Sequence, residues 1–185
     1  LVDRCAVAPV LLSAAKAHPK AASLLAALMT GEVSVCTALD AGETGPGQMT
    51  APWLGADGTL QGSLLGIDVS EPATHALFRA CNDTTQESML ILIDWAHLSN
   101  RINKYTGSDG RQYADANLNG LKITNDAVLL QGADAAQAVS QARQVGALLS
   151  CVQTVGAAAA MIELTIEYLN TRQQFGVALS RDRKS

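Results

Sequence analysis

The chain has 185 residues, enough for one or two domains with a real core, and 48% of them are apolar, which excludes a disordered tract. Lys and Arg number 13 against 17 Asp and Glu, a net charge of −4 that argues against nucleic acid or an anionic membrane as the main partner. Aromatic residues make up only 4%, so stacking surfaces are scarce and each one counts. Cys5, Cys36, Cys81 and Cys151 are far apart and form no C-x-x-C, the pattern of a reduced, cytoplasmic protein. No apolar run is expected to span a membrane, and no signal peptide is visible. The chain opens on Leu1 and stops at RDRKS without a structural signal, so it reads as a fragment.

Residues 3 to 29, rich in Ala, Leu and Val, predict two helices broken at His18-Pro19-Lys20. Pro19 suits the first turn of the second, and Gly31 ends it. From Glu32 the period changes to a strand-like alternation, with Val33, Val35 and Thr37 against Ser34, Cys36 and Ala38. A loop rich in Gly and Pro spans residues 41 to 58. Short strands are expected at 59–69, 74–80, 88–95, 100–106, 121–124 and 127–130, separated by turn residues such as Asn82-Asp83 and Asn119-Gly120. Many short strands with such punctuation predict a small antiparallel barrel or sandwich.

The last long stretch, Asp134 to Phe175, contains no proline. Asp134 and Gln137 have the spacing of a capping box. Val145, Leu148, Val152, Val155, Ala159, Ile162, Ile166 and Leu169 alternate at three and four, which places them on one helical face. A second stripe runs through Met161, Leu164, Tyr168 and Phe175, while Glu163, Glu167, Asn170 and Gln174 share a narrower polar face. A helix apolar on two sides needs partners on two sides. At about 1.5 Å per residue it would be roughly 60 Å long. It is expected to be a bundle helix that meets another subunit, in a homo- or hetero-oligomer formed through 134–175.

The run Glu167-Tyr168-Leu169-Asn170-Thr171-Arg172-Gln173-Gln174-Phe175-Gly176 resembles the E-Y-x-x-x-R-x-Q-F-G signature of the acyl-CoA dehydrogenase family. The preceding LTIEY, the small-residue segment Gly156 to Ala160, and DGRQYADANLNGLKI as a last β-hairpin fit the same resemblance. It implies an α+β chain in three parts: 1–31, the end of an N-terminal helical domain; 32–131, the middle β-domain; 132–185, the start of the C-terminal helical domain. It also implies FAD as cofactor and an acyl-CoA thioester as substrate. Arg172 would contact the FAD pyrophosphate, because a guanidinium offers paired donors to phosphate oxygens. Gln174 and Phe175 would touch the adenosine half.

Other positions depart from the family pattern. Where a hydroxyl-Glu-Pro segment and Gly-Ser-Asp are expected, the chain has Ala38-Leu39-Asp40-Ala41-Gly42-Glu43-Thr44, with Leu39 or Asp40 at the hydroxyl position. A leucine cannot donate a hydrogen bond, and an aspartate would repel a reduced, anionic flavin. Gly66-Ile67-Asp68 stands where an aromatic-Ile-hydroxyl step packs beside the isoalloxazine. The helix position that carries a catalytic glutamate in some members falls at Gly146 or Ala147, which take no proton. No catalytic residue is therefore assigned, and Glu163 and Glu167 read as solvated or interface carboxylates.

His18, His75 and His97 are widely spaced, so no metal site is expected. Asp94-Trp95 closes the apolar strand MLILIDW. There is no G-x-G-x-x-G, P-loop or G-x-S-x-G. Two functional readings remain open: an FAD-dependent acyl-CoA dehydrogenase seen in part, or a non-catalytic subunit or interaction module of a hetero-oligomeric one.

Overall fold

A π-helical turn at Asp3–Val7 leads into α1 (Ala8–Ala14) and then α2 (Pro19–Thr30). Pro19 occupies the first turn of α2, as its fixed φ allows. Gly31 closes the helix in the left-handed region (φ 78°), and the Glu32 N–H donates to the Ala27 carbonyl at 3.0 Å. These elements belong to a computed structural model that describes residues 2–39, 51–174 and 176–181. It resolves into two units, 1–146 and 147–185.

Ten strands complete the first unit among the described residues. They are β1 (Val35–Ala38), β2 (Trp53–Leu54), β3 (Thr59–Gln61), β4 (Ser63–Asp68) and β5 (His75–Asn82). Then come β6 (Ser88–Asp94), β7 (Ile102–Thr106), β8 (Gln112–Asn117), β9 (Leu121–Lys122) and β10 (Val128–Gln131). One sheet runs β10-β6-β5-β2-β3-β9, with β1 also paired to β5; the other runs β4-β8-β7.

The strands pair mainly antiparallel, as expected of the small barrel or sandwich, with a parallel exception at β5. β5 pairs antiparallel with β6 from His75↔Asp94 to Cys81↔Ser88. Its other edge is shared by two parallel neighbours, β1 (Val35↔His75 to Ala38↔Phe78) and β2 (Trp53↔Cys81, Leu54↔Asn82). A parallel pair needs a long return path, and β3 and β4 intervene before the chain comes back as β5. The expected strand over 59–69 is split at Gly62 (φ 99°), whose absent Cβ would lie 3.1 Å from Pro52 Cα. Only glycine meets both demands, and there the chain passes from one sheet to the other.

The strand pattern follows from burial on both faces. Leu77, Leu90, Leu92, Val35 and Leu129 join α1 and α2 in one core. Phe78, Ala76, Ile91, Ile93 and Met89 alternate with them and pack against Leu60, Leu64, Ile67 and Leu118 on the other side. The larger sheet is thus a middle layer between helices and the smaller sheet. That is why β6 is an unbroken apolar run rather than an alternating one.

The long helix α3 (Gly132–Thr171) starts two residues earlier than the capping-box reading, at a glycine with φ 61°, so Asp134 lies in its first turn rather than as its cap. A carboxylate there still complements the helix dipole. Ala135, Ala138, Val139 and Ala142 recur at helical spacing and join the core of α1 and α2. A Cβ at Gly146 would come within 3.2 Å of Val7 Cγ2.

The second unit holds the rest of α3 and a tight hairpin, β11 (Gln173–Gln174) with β12 (Val177–Ala178). The helix therefore ends at Thr171, short of Phe175, and Gly176 (φ 80°) turns the hairpin. Thr171 Oγ1 donates back to the Glu167 carbonyl at 2.9 Å. Leu148, Val152, Val155, Ile162, Ile166, Met161 and Leu164 are exposed in the single chain. Against the expectation that no apolar run is long enough, α3 contains an 18-residue window of mean hydropathy 1.8, sufficient by length and composition to cross a membrane. The same length and composition also describe a bundle helix whose neighbours lie outside this chain.

Candidate functional site

Of the cofactor residues expected from the sequence, Arg172 directly follows the end of α3 and Gln174 lies in β11. The Arg172 N–H donates to the Tyr168 carbonyl at 2.9 Å, and the Arg172 carbonyl accepts from Leu179 N–H at 2.9 Å. Its backbone is thus fixed between helix and hairpin while the side chain is exposed. The guanidinium carbon sits 5.8 Å from the centre of the Tyr168 ring, within cation–π range. Among the described residues Arg172 forms no ion pair. Gln174, two residues on in β11, is exposed. Phe175, like Asp40, lies outside the described residues.

The positions expected at the flavin end are occupied otherwise. Leu39 is buried at 8% exposure in the helix-side core, and its carbonyl accepts from Arg143 Nη2 at 3.1 Å. A polar donor for a flavin cannot come from that side chain.

Gly66 lies in a register shift between Leu64 and Ile67, with φ 63°, and its N–H donates to Asp115 Oδ1 at 2.9 Å. An aromatic residue would be strained in that backbone, so a wall cannot simply be restored by substitution. Tyr105 Oη donates to the same Asp115 oxygen at 3.3 Å. The Tyr105 and Tyr113 rings stack with centroids 6.0 Å apart.

Asp68 accepts from the Ser70 N–H at 2.9 Å and faces Arg111 Nη1 at 3.5 Å. Burial opposes its charge, but the Ser70 hydrogen bonds and the Arg111 guanidinium outweigh that and hold the carboxyl below its usual range. Asp68 is therefore an ionised structural carboxylate of the β4–β8 edge.

Ala147 is exposed, and a side chain at Gly146 would meet Val7; neither position carries a base. Glu163 and Glu167 are exposed, as the polar face implied. No group of three or more His, Cys, Asp or Glu is arranged to hold a metal among the described residues.

A further groove of about 760 Å³ in the first unit escaped the sequence reading. Leu24, Leu92 and Ile123 supply apolar lining, and Lys20, His75 and Asp94 supply polar groups. His75 and Asp94 had been noted singly. Their pairing depends on the β5–β6 register, which residue spacing alone does not reveal.

Comparison with solved structures defines the class of fold. A glutaryl-coenzyme A dehydrogenase in its glutaryl-CoA complex superposes with TM-score 0.75 at 18% identity, over 94% of this chain and 48% of that one. An acyl-CoA dehydrogenase complexed with FAD from Bacillus anthracis gives TM-score 0.76 at 20% identity, over 97% of this chain and 32% of that one. The ChsE4-ChsE5 complex from Mycobacterium tuberculosis gives 0.64 at 18%, over 85% and 42%. No family model matches the sequence, and no curated protein matches it.

The chain has an acyl-CoA dehydrogenase-like α+β fold, in part: it spans 32% to 48% of the length of these structures.

Proposed function

We propose that the chain is part of an acyl-CoA dehydrogenase-like flavoprotein, a class that dehydrogenates an acyl-CoA thioester between its α and β carbons, and that Arg172 is its contribution to holding FAD. The single observation that carries this reading is the exposed guanidinium at the helix–hairpin junction, held by its backbone and free of a carboxylate partner among the described residues. Such a group fits a pyrophosphate with paired, charge-assisted donors. Gln174 on the same hairpin would add a polar contact. When bound, FAD supplies the hydride acceptor; Arg172 would only grip and orient its phosphate end.

The flavin end does not fit this chain. Leu39 is committed to a core, Gly66 is pinned by Asp115, and Asp68 is paired with Arg111. These residues favour a second reading, a non-catalytic subunit or module of a hetero-oligomeric dehydrogenase. There the isoalloxazine and the base would lie in a partner chain. Likeness to the ChsE4-ChsE5 complex is compatible with that arrangement. The exposed stripe through Leu148, Val152 and Ile162 would then be covered by the partner. The proposed division into 1–31, 32–131 and 132–185 follows the same resemblance.

Absorbance of bound flavin after gel filtration separates the readings. The chain alone is expected to emerge colourless and without acyl-CoA dehydrogenase turnover. Stoichiometric yellow protein from this chain alone would overturn the non-catalytic reading.

A further inference from the structure

Six side chains of α3 stand exposed in one line: Leu148, Val152, Val155, Ala159, Ile162 and Ile166. The five larger ones are 54–69% exposed. They alternate at four and three residues, a seven-residue repeat with apolar residues at its first and fourth positions. That is the seam of a two-helix coiled coil, narrower than the face a helix lays on a globular core. A strict repeat of this kind winds two helices left-handed about each other. From Gln144 to Ile162 the helix carries no charge, so whatever covers the seam is itself apolar.

We propose that a second copy of this chain covers the seam, with the two α3 helices antiparallel and crossing at Ala157. The proposal rests on the reading of α3 as an interface helix and names its occupant.

The exposed seam is symmetric about that point. Leu148 then meets Ile166 of the second copy, Val152 meets Ile162, and Val155 meets Ala159. Every exposed seam position gains an apolar partner, and the small Ala159 faces the larger Val155. A parallel pair in register would set Ala159 against Ala159 and leave an underfilled layer between Val155 and Ile162. Gly156 and Ala158 flank the crossing, so the backbones can approach closely there. Glu163 falls beside Leu149 of the second copy, and no like charges face each other along the seam. Antiparallel helices also set the positive end of one dipole towards the negative end of the other.

From Leu148 to Ile166 the seam is about 27 Å long at 1.5 Å per residue. Closing it, with the flanking Leu149, Cys151 and Thr165, removes roughly 600 Å² per copy from water, which reaches the lower bound of about 1,200 Å² for a specific interface. The dimer is therefore concentration-dependent. The seam admits one helix, so a second copy and a flavin-competent partner covering the same residues exclude each other. Met161, Leu164 and Tyr168 lie off the seam.

The test is sedimentation equilibrium of the full chain, which reads no flavin and so stands or falls apart from the FAD reading. The unaltered chain is expected to be a dimer whose fraction rises with concentration. Val155→Asp is expected to dissociate it, and Leu164→Asp to leave it intact; both positions are exposed, so neither change enters the folded core. In the antiparallel register Thr165 lies across from Cys151 of the second copy. Thr165→Cys with a short bismaleimide is therefore expected to link position 165 of one copy to Cys151 of the other, read by peptide mapping. A chain that stays monomeric at every concentration overturns the proposal. So does a Leu164→Asp change that dissociates the copies as fully as Val155→Asp, or a dimer of the Thr165→Cys chain that forms no link between positions 151 and 165.

Discussion

The guanidinium of Arg172 stands 5.8 Å from the ring centre of Tyr168, one helical turn earlier in the chain. Tyr168 is itself exposed, so the contact is an orienting one at the surface rather than a core interaction. Tyr168→Leu keeps an apolar side chain at this site but removes the ring's electrostatic attraction. A loss of about 0.5–1 kcal/mol in FAD affinity is expected for an exposed cation–π pair, read by flavin titration of the assembled complex. An unchanged affinity would mean that the ring does not orient the arginine.

Ala159 lies inside α3, exposed, with its backbone part of the helical ladder. Ala159→Pro removes one hydrogen bond and clashes with the turn before, at a cost of about 3 kcal/mol or more. Loss of helical circular dichroism and of assembly by gel filtration are the expected results. Intact assembly would show that this stretch of helix is not part of the interface.

Phe78 is fully buried between the two sheets. Phe78→Ala removes a ring and leaves a cavity, for which about 3–5 kcal/mol is the expected destabilisation by chemical denaturation. Val177→Ala, on the exposed hairpin, should stay within about 0.5 kcal/mol.

Acid sensitivity has a defined sign at Asp68. Its folded pKa lies below 3.8, so the unfolded chain binds the proton more tightly. The stabilisation is fully present above the unfolded value and is lost as pH falls through the folded one. Asp68→Asn is expected to flatten the acid limb of the stability–pH curve, measured by urea midpoints. An equally steep acid limb in the variant would show that Asp68 does not contribute to it.

Local signals carried much of this fold because they are set by neighbouring residues. Pro19 and Gly31 bounded α2 where the structure does, and β5 and β6 fell within a few residues of their expected limits. What spacing could not convey was pairing. β1 and β2 run parallel to β5, and that depends on where the chain returns, not on their composition. The end of α3 was missed because the residues after Thr171 keep helical periodicity, while Gly176 turns them into a hairpin.

The candidate site was legible in the same uneven way. Arg172 and Gln174 were singled out from a compact local motif, and the structure places them side by side at the helix–hairpin junction, both exposed. The burial of Leu39 and the pinning of Gly66 by Asp115 involve residues far away in sequence, so only the fold displays them.

The central claim is that Arg172 grips the phosphate end of FAD. Its most direct measurement is the flavin-to-protein ratio after gel filtration, for the complex of this chain with a flavin-competent partner, carrying Arg172 or Arg172→Lys. Lysine keeps the charge but loses the paired donors, so retention should weaken on the scale of a charge-assisted hydrogen bond, about 1.5–3 kcal/mol. Equal flavin retention by the Arg172→Lys complex would contradict the account and remove Arg172 from the site.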